Sequence, residues 1–272
     1  MTESQLYGEA YRPSEIAQRV ESMGVAKARA DSLTVLVLAV MAGAFISLGA
    51  LFFTVVVTGS TLGFGITRLL GGLAFCLGLV LVVVGGAELF TGNNLLAMAW
   101  ASRSISTRDV LRNWALAYLG NVVGCLGTVA LVVWGDVAAM SNGAVGETAV
   151  TIARAKASLG VGEVFARGVL CNALVCLAVW LAMGGRSVTD KVLAILLPIS
   201  GFVTIGFEHS IANWFFLPFG MALDPAGIAP AAAARNLVAA SAGNIVGGTL
   251  LVAGVYWLAY LRAGRRDGAT RR

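Results

Sequence analysis

Long runs of apolar residues, separated by short polar stretches, dominate the chain. Six runs contain about 20 or more residues each, which is enough for a helix to cross a ~30 Å hydrocarbon core. They cover approximately residues 33–58, 69–100, 110–134, 164–183, 192–221 and 237–261. None shows the strict apolar and polar alternation of a membrane β-strand. The pattern therefore predicts an all-α polytopic membrane protein with six transmembrane helices.

The composition agrees with this class and helps to divide the chain. Hydrophobic residues make up 58% of the 272 positions and charged residues 12%, with a mean hydropathy of +0.85, unlike a soluble domain. We predict a transmembrane domain at 33–262, a cytoplasmic amphipathic segment at 1–32 and a basic cytoplasmic tail at 263–272. In the N-terminal segment Ile16, Val20 and Met23 share one face of a short helix. That helix would lie on the membrane surface, against the bundle or in solvent.

The basic residues predict the orientation in the membrane. If the N-terminus is cytoplasmic, 14 of the 19 Lys and Arg lie on that side. The five on the outer side are Arg68, Arg154, Lys156, Arg167 and Arg235. By the positive-inside rule both termini are predicted to be cytoplasmic. The net charge of +5 is thus explained by topology and gives no reason to expect a nucleic-acid partner.

No cofactor or metal site can be recognised. The cysteines all fall in predicted spans without CxxC spacing: Cys76, Cys125, Cys171 and Cys176. A single histidine cannot supply two axial haem ligands, and no GxGxxG follows a strand. We therefore expect neither a cofactor nor a metal. The cysteines are interpreted as small apolar residues that pack between the helices.

The second half of the chain repeats the first. GAELFTGNN at 86–94 aligns with GFEHSIANW at 206–214, and RNWALAYLGNVVG at 112–124 aligns with RNLVAASAGNIVG at 235–247. The first and fourth spans align more weakly, with Gly43 and Ser47 set against Gly168 and Asn172. Because an odd number of crossings inverts the second copy, the fold predicted is an inverted 3+3 repeat.

Each half carries a Glu and an Asn inside a segment longer than one crossing requires. A Glu at the centre of a membrane helix costs on the order of 3 kcal/mol on insertion scales, so it needs a partner. A break in a helix frees backbone groups that a Glu and an Asn could satisfy. We therefore predict broken second and fifth helices, interrupted at residues 88–94 and 208–213. The clamps would be Glu88 with Asn93 and Glu208 with Asn213; direct substrate contact by these residues is the alternative.

His209, the only histidine, lies in the second break, where the first half has Leu89. An ionisable residue inside a bilayer is a functional candidate. Imidazole can donate a hydrogen bond to an anion or exchange a proton, and burial favours its neutral form. The N-termini of the half-helices add partial positive charge. The pattern favours a small anion over a cation.

The motifs GFEHSIAN, AELFTGNN, GRSVTDK (185–191) and CNALVCLAVW (171–180) together resemble the formate/nitrite transporter family across all six spans. The resemblance implies an aquaporin-like homopentamer in a bacterial inner membrane, with a pore in every subunit. Each pore would pass a monovalent anion with proton coupling. Formate is the expected substrate, and nitrite and hydrosulfide are alternatives. The aquaporin Asn-Pro-Ala boxes are absent, which disfavours a water or glycerol channel.

The resemblance also implies roles for polar residues. His209 corresponds to the family's central histidine, and Thr91 to the threonine on the loop that interrupts the second helix. Asn172 corresponds to the asparagine beside that histidine. Lys156, in the loop predicted between the third and fourth spans, would draw anions into the outer vestibule.

Apolar residues would narrow the path on both sides of the histidine. By the same resemblance, Phe75 and Phe202 form the outer constriction, while Leu79 and Phe90 line the path further in. An anion that enters such a slit loses hydration that apolar side chains cannot replace, whereas its neutral conjugate acid loses much less. Proton coupling is therefore expected. Ordinary membrane-core packing is the alternative for each of these four residues.

A membrane-embedded enzyme or anchoring subunit is the distant alternative. Ser210 stands beside His209, but neighbouring residues on a helix do not face each other, so the two do not form a catalytic pair. The predicted cytoplasmic loops are also too short for a catalytic domain. The sequence therefore predicts a transport protein that is not an enzyme.

Overall fold

A computed structural model describes residues 10–262, and over this range all regular elements are helical. The predicted basic tail and the first nine residues lie outside the described residues, so the predicted domain limits stay predictions. The first half contains α1 (Pro13–Arg29), α2 (Ser32–Val57), α3 (Phe64–Gly85), a 3-10 helix (Gly92–Leu96), α4 (Ala97–Ala101) and α5 (Thr107–Trp134). After a 3-10 turn at Val137–Ala139, the second half contains α6 (Ala144–Ser158), α7 (Val161–Gly184), α8 (Val188–Ile205), α9 (Ser210–Leu223) and α10 (Pro230–Val246). Helical structure continues from α10 through π-helical turns to Leu261.

Within residues 10–262, six helices are long and apolar enough to cross a membrane: α2, α3, α5, α7, α8 and the continuous helix Pro230–Leu261. Helix α2 packs against α3 and α5, α7 packs against α8 and α10, and α3 packs against α8 between the two halves. The all-α fold with six spans in an inverted repeat is therefore confirmed. Large apolar side chains such as Leu119, Leu197 and Val238 remain exposed on its surface, where a bilayer would cover them.

Polar caps begin several of the spanning helices. Asp31 Oδ1 accepts the N–H of Thr34 (3.0 Å) at the start of α2. Ser106 and Asp109 form a reciprocal capping box at the start of α5, and Ser187 and Asp190 do so at the start of α8. These side chains satisfy N–H groups that the first turn of a helix leaves free. These three spans thus start where a Ser or Asp precedes an apolar run.

Both predicted helix breaks are present, but each begins earlier than predicted. Helix α3 ends at Gly85 and α8 at Ile205, and the following Gly86 (φ 82°) and Gly206 (φ 84°) adopt the left-handed conformation. Glycine is the residue that tolerates this conformation at a helix end. The second break covers only residues 206–209, because α9 starts at Ser210. The predicted interruption at 208–213 was wrong in its limits.

The weak alignment predicted between the first and fourth spans was also wrong. A Cβ added to Gly124 would lie 2.0 Å from Val40 O, and one added to Gly247 would lie 2.1 Å from Val169 O. These equivalent helix crossings show that Val40 in the first repeat corresponds to Val169 in the second. Asn172 therefore corresponds to Gly43 and not to Ser47. The error is four residues, about one helical turn. Small residues recur at that interval on a close-packed helix face. Sequence similarity alone therefore cannot distinguish the correct alignment from one that is shifted by a helical turn.

Two further helices complete the repeat. Helix α1 packs against the bundle, with Ile16 and Val20 buried in a cluster that includes Leu95, Met98 and Trp180. Helix α6 occupies the same place before the second half, where a loop was predicted. The sequence Ala-Lys-Ala occurs near the end of both helices, at 26–28 and 155–157. The repeating unit is therefore one short helix followed by three spans.

Candidate functional site

Two cavities open at opposite ends of α8. The larger, about 300 Å³, is lined by residues at the end of α8, including Phe202, together with Phe75, Lys156, Glu208 and His209. The smaller, about 240 Å³, is lined by Lys191 near the start of α8 and by Lys27, Leu79, Glu88 and Asn93. We call them the outer cavity and the cytoplasmic cavity, after the predicted orientation. Opposed cavities of this kind are the expected vestibules of a transmembrane path.

Apolar side chains separate the cavities. Phe75 borders the outer cavity and Leu79, one turn later on α3, borders the cytoplasmic cavity. The rings of Phe75 and Phe202 meet edge to face, with centroids 5.6 Å apart, and both side chains are buried. These three residues thus lie where a constriction is predicted. Phe90 does not border either cavity and packs against Tyr118 at 4.9 Å, so its predicted place in the path stays a prediction.

His209 is held at the start of α9 by a hydrogen bond to its own helix. Its Nδ1 accepts the N–H of Ala212 at 3.1 Å, and the ring is buried. A neutral imidazole with Nδ1 as acceptor carries its proton on Nε2. Nε2 lies 3.1 Å from Oγ1 of Thr91, which is fully buried. The structure therefore brings His209 and Thr91 together, with Nε2–H donating to the threonine hydroxyl.

Asn172 lies behind Thr91 and has no direct hydrogen bond to His209. Its Nδ2 is within hydrogen-bond distance of Thr91 O (3.2 Å), Asn94 Oδ1 (2.9 Å) and Asn244 O (2.7 Å). These contacts hold the loop that carries Thr91. The predicted neighbour of the histidine thus reaches it through Thr91.

Each half contains a largely buried cluster of one lysine, one glutamate and two asparagines. Lys27 Nζ and Lys156 Nζ each lie 2.8 Å from Oε1 of Glu88 and Glu208, respectively. Oε2 of each glutamate accepts Nδ2 of Asn93 or Asn213 at 2.6 Å. The second asparagines are Asn113 and Asn236. The predicted Glu–Asn pairs are present, and each has a lysine counter-ion.

The position and the bonding of Lys156 differ from those predicted. It lies in the last turn of α6 rather than in a loop, and its ammonium is bonded to Glu208. It does border the outer cavity. Lys27, its counterpart, was missed by sequence reasoning, although the repeated Ala-Lys-Ala was a signal that could have revealed it.

The backbone of the breaks is held by a different pair of side chains. Asn121 accepts the N–H of Phe90 (2.9 Å) and donates to Glu88 O (2.9 Å). Asn244 likewise accepts the N–H of Ser210 (2.9 Å) and donates to Glu208 O (2.9 Å). The role predicted for the Glu–Asn pairs, satisfying freed backbone groups, thus belongs to these asparagines. Their signal was the Gly-Asn pair shared by 112–124 and 235–247.

The centre of this path offers hydrogen-bond donors and the cavities offer cations. Outside the Lys–Glu pairs, Arg68 and Arg167 border the outer cavity. Among residues 10–262, no group of three His, Cys, Asp or Glu could hold a metal ion. The site is therefore suited to conduct a small anion between two vestibules. Together with the fold, it defines a polytopic membrane channel or transporter built as an inverted repeat.

Comparisons with known proteins identify the family within this class. A sequence model described as formate/nitrite transporter matches residues 14–258. The chain belongs to the formate/nitrite transporter family and is a membrane transport protein, not an enzyme.

Relatives of known name or structure cover most of the chain. It is 39% identical to the formate channel FocA of Escherichia coli strain K12 over 92% of this chain and 94% of the relative. It is 36% identical to a probable formate transporter of Methanothermobacter thermautotrophicus, over 92% and 97%. A solved structure described as a pentameric formate channel with formate bound matches with TM-score 0.79 and 39% identity, covering 85% of this chain and 98% of that chain.

Proposed function

We propose that this protein carries formate across a bacterial inner membrane, with both termini in the cytoplasm and one pore in each subunit of a homopentamer. The names of the relatives support formate, and the pentameric description of the matching structure supports the assembly. The basic residues on the predicted cytoplasmic side support the orientation. Nitrite and hydrosulfide are the alternative substrates.

The observation that carries this proposal is the buried pair of His209 and Thr91 between two opposed cavities. Nε2–H of His209 donates to Thr91 Oγ1 at 3.1 Å, so the hydroxyl proton of Thr91 is available for another acceptor. An arriving carboxylate can accept from both groups. Donors of this kind replace part of the hydration that an anion loses in a narrow apolar path.

Hydration explains why a proton would accompany the anion. The constriction at Phe75, Leu79 and Phe202 offers no polar side chain, whereas a monovalent anion is strongly hydrated. The neutral conjugate acid crosses such a slit at much lower cost. Transport is therefore expected to increase as the solution becomes more acidic.

The geometry of His209 supports polarisation of the anion rather than net donation by a resting imidazolium. Nδ1 already accepts the N–H of Ala212, and protonation of Nδ1 would remove that helix cap. Loss of the Nε2 proton from the neutral ring would leave an imidazolate, which is unfavourable. We therefore assign the proton to hydronium from the solution in a vestibule, which becomes water, with His209 and Thr91 holding the anion while it accepts this proton.

Cations in the outer cavity support attraction of anions. Arg68, Lys156 and Arg167 border this cavity, with Glu208 as the carboxylate beside them. The excess of positive charge raises the local concentration of small anions, and more so at low ionic strength. Lys156 contributes to this field even while it is paired with Glu208.

Uptake by purified protein in liposomes tests the proposal. Labelled formate and labelled nitrite are supplied separately at two pH values, with protein-free liposomes as the control for diffusion of the neutral acids. We expect faster protein-dependent uptake of formate than of nitrite, with the formate rate higher at the lower pH. Faster nitrite uptake would replace formate by nitrite, and uptake of neither would remove both substrates.

A further inference from the structure

Arg68 joins the two helices that form the outer constriction. It lies near the start of α3, and its guanidinium donates to the carbonyls of Val203 and Thr204 at the end of α8, with Nε 3.3 Å from Thr204 O. Thr204 returns a bond from its hydroxyl to Arg68 O at 3.3 Å. The guanidinium also lies over the ring of Phe53, 5.3 Å from its centroid. This partly buried side chain is therefore held on several sides.

The residues that Arg68 joins carry the constriction. Phe202 immediately precedes Val203 on α8, and Phe75 lies two turns after Arg68 on α3. The rings of Phe75 and Phe202 are in contact, so the width between them depends on how α3 and α8 are spaced. The guanidinium fork fixes that spacing at the outer end, on the side of the cavity.

Arg68 also covers a feature that would oppose an anion. The last carbonyls of α8 lie at the negative end of the helix dipole. Val203 O, which accepts the N–H of Gly206 at 3.1 Å, also accepts from Arg68, and Val203 and Gly206 border the outer cavity. The guanidinium offsets the partial negative charge of this helix end, so an anion that approaches His209 through the outer cavity is repelled less.

We propose that Arg68 is a positioning residue for anion selectivity: it sets the gap between Phe75 and Phe202, and thereby limits the size of the monocarboxylate that passes. The inference rests on the proposed function and deepens it. It assigns discrimination between formate and larger monocarboxylates to a cation that lies outside the His209 and Thr91 pair.

Arg167 offers a matched control for charge. It borders the same cavity, but its guanidinium is bonded to Glu163 on its own helix rather than to α8. Loss of a positive charge lowers the local concentration of all monovalent anions by the same factor, because the electrostatic energy depends on charge and not on size. The ratio of acetate uptake to formate uptake is therefore insensitive to the loss of charge at Arg68. A change in this ratio reports the loss of the bonds between Arg68 and α8.

The experiment compares this ratio in liposomes for the wild type, Arg68→Met and Arg167→Met. With the charge-assisted hydrogen bonds lost, we expect the ratio for Arg68→Met to rise by roughly fivefold or more, whereas Arg167→Met keeps the wild-type ratio with lower rates for both anions. An unchanged ratio in Arg68→Met, or equal changes in the two variants, would overturn the inference.

A second variant covers the case in which Arg68→Met does not assemble. Gln places Nε2 where Arg has Nε, so Arg68→Gln keeps a donor for Thr204 O and loses the bond to Val203 O. We expect its ratio to rise about twofold, between wild type and Met, and Arg167→Gln to leave the ratio unchanged; equal ratios in these two would contradict the inference.

If the wild type transports formate, only the inference on Arg68 is at stake in these comparisons. A wild type that transports neither anion would instead overturn the proposed function and the inference with it.

Discussion

At the scale of single residues, asparagines hold the interrupted backbone in place. Asn121 bonds Phe90 N, Glu88 O and Ala39 O, and Asn244 bonds the equivalent Ser210 N, Glu208 O and Gly168 O. A short amide side chain with both donors and an acceptor can satisfy three groups at once. The two breaks are thus maintained by the same chemistry.

Replacing either asparagine should destabilise the protein strongly. Asn121→Ala or Asn244→Ala removes the side-chain partner of two buried backbone groups in a break, and each group left unpaired costs about 1–3 kcal/mol. We expect a clear fall in the midpoint of thermal unfolding in detergent for both variants. Gln18→Ala, on the exposed face of α1, serves as the control. A midpoint unchanged from that control would show that the breaks are held by other contacts.

Within each lysine–glutamate pair, the effects of replacing the two residues on stability should be coupled. The coupling should be stronger for Lys156 and Glu208 than for Lys27 and Glu88. Lys156→Met leaves the carboxylate of Glu208, only 3% exposed, without a counter-ion, and breaking a buried pair costs about 3–5 kcal/mol. Adding Glu208→Gln should recover part of that loss. The more exposed Lys27–Glu88 pair (20% and 11%) should give a smaller effect. A double-mutant cycle on unfolding free energies measures both couplings, and additive effects at Lys156 and Glu208 would contradict the account.

The site could be predicted only where its signals are local. Glu88 with Asn93, and Glu208 with Asn213, stand five residues apart inside apolar runs, so each pair was visible in the sequence. Lys27 lies 61 residues from Glu88, and Asn121 lies 33 residues from it. Such contacts depend on how α1 and α5 dock, which no local pattern specifies. Arg68, 136 residues from Thr204, was missed for the same reason.

At the scale of elements, two glycines decide where the spanning helices stop. Gly86 and Gly206 close α3 and α8 in the left-handed conformation. The sequence prediction placed the breaks on the Glu and Asn side chains, because polar residues are conspicuous among apolar ones. The conformational signal was the glycine at the first position of each motif, and glycine is so frequent in this chain, at 34 residues, that it was not distinctive.

Alanine at these two positions tests that assignment. A Cβ at Gly86 would meet nothing within 4 Å, so Gly86→Ala isolates the cost of the left-handed conformation, about 1–2 kcal/mol for an L-residue. We expect Gly86→Ala and Gly206→Ala each to reduce the free energy of unfolding by that amount. Gly127→Ala, within α5 and also without a neighbour in range, should be neutral or stabilising. Equal effects at Gly86 and Gly127 would argue against a conformational role.

At the scale of the whole molecule, the repeat explains why polar clusters face two cavities. One short helix and three spans are used twice, and each copy supplies a lysine to a different cavity. The six spans and their inversion could be predicted, because apolar length and an odd number of crossings are properties of the chain alone. Helix α6 could not be, since its 15 residues are too few to span a bilayer and resembled a loop.

The predicted orientation can be measured with single cysteines. The native Cys76, Cys125, Cys171 and Cys176 are buried, so a membrane-impermeant maleimide should not react with them. Thr61→Cys lies in the exposed loop between α2 and α3, and Thr189→Cys lies in the exposed first turn of α8. In intact cells we expect labelling of the first and not of the second until the membrane is permeabilised. The reverse pattern would invert the topology.

The role of His209 in transport can be tested by the pH dependence of formate uptake by His209→Asn in liposomes. Asparagine can still cap α9 at Ala212 N, but it lacks the Nε2–H that lies against Thr91. The variant should keep the stability of the wild type. After subtraction of protein-free liposomes, the wild type should accelerate as the solution is acidified from neutral, and His209→Asn should not. Acid stimulation equal to that of the wild type would contradict the claim that the imidazole holds the anion while the anion is protonated.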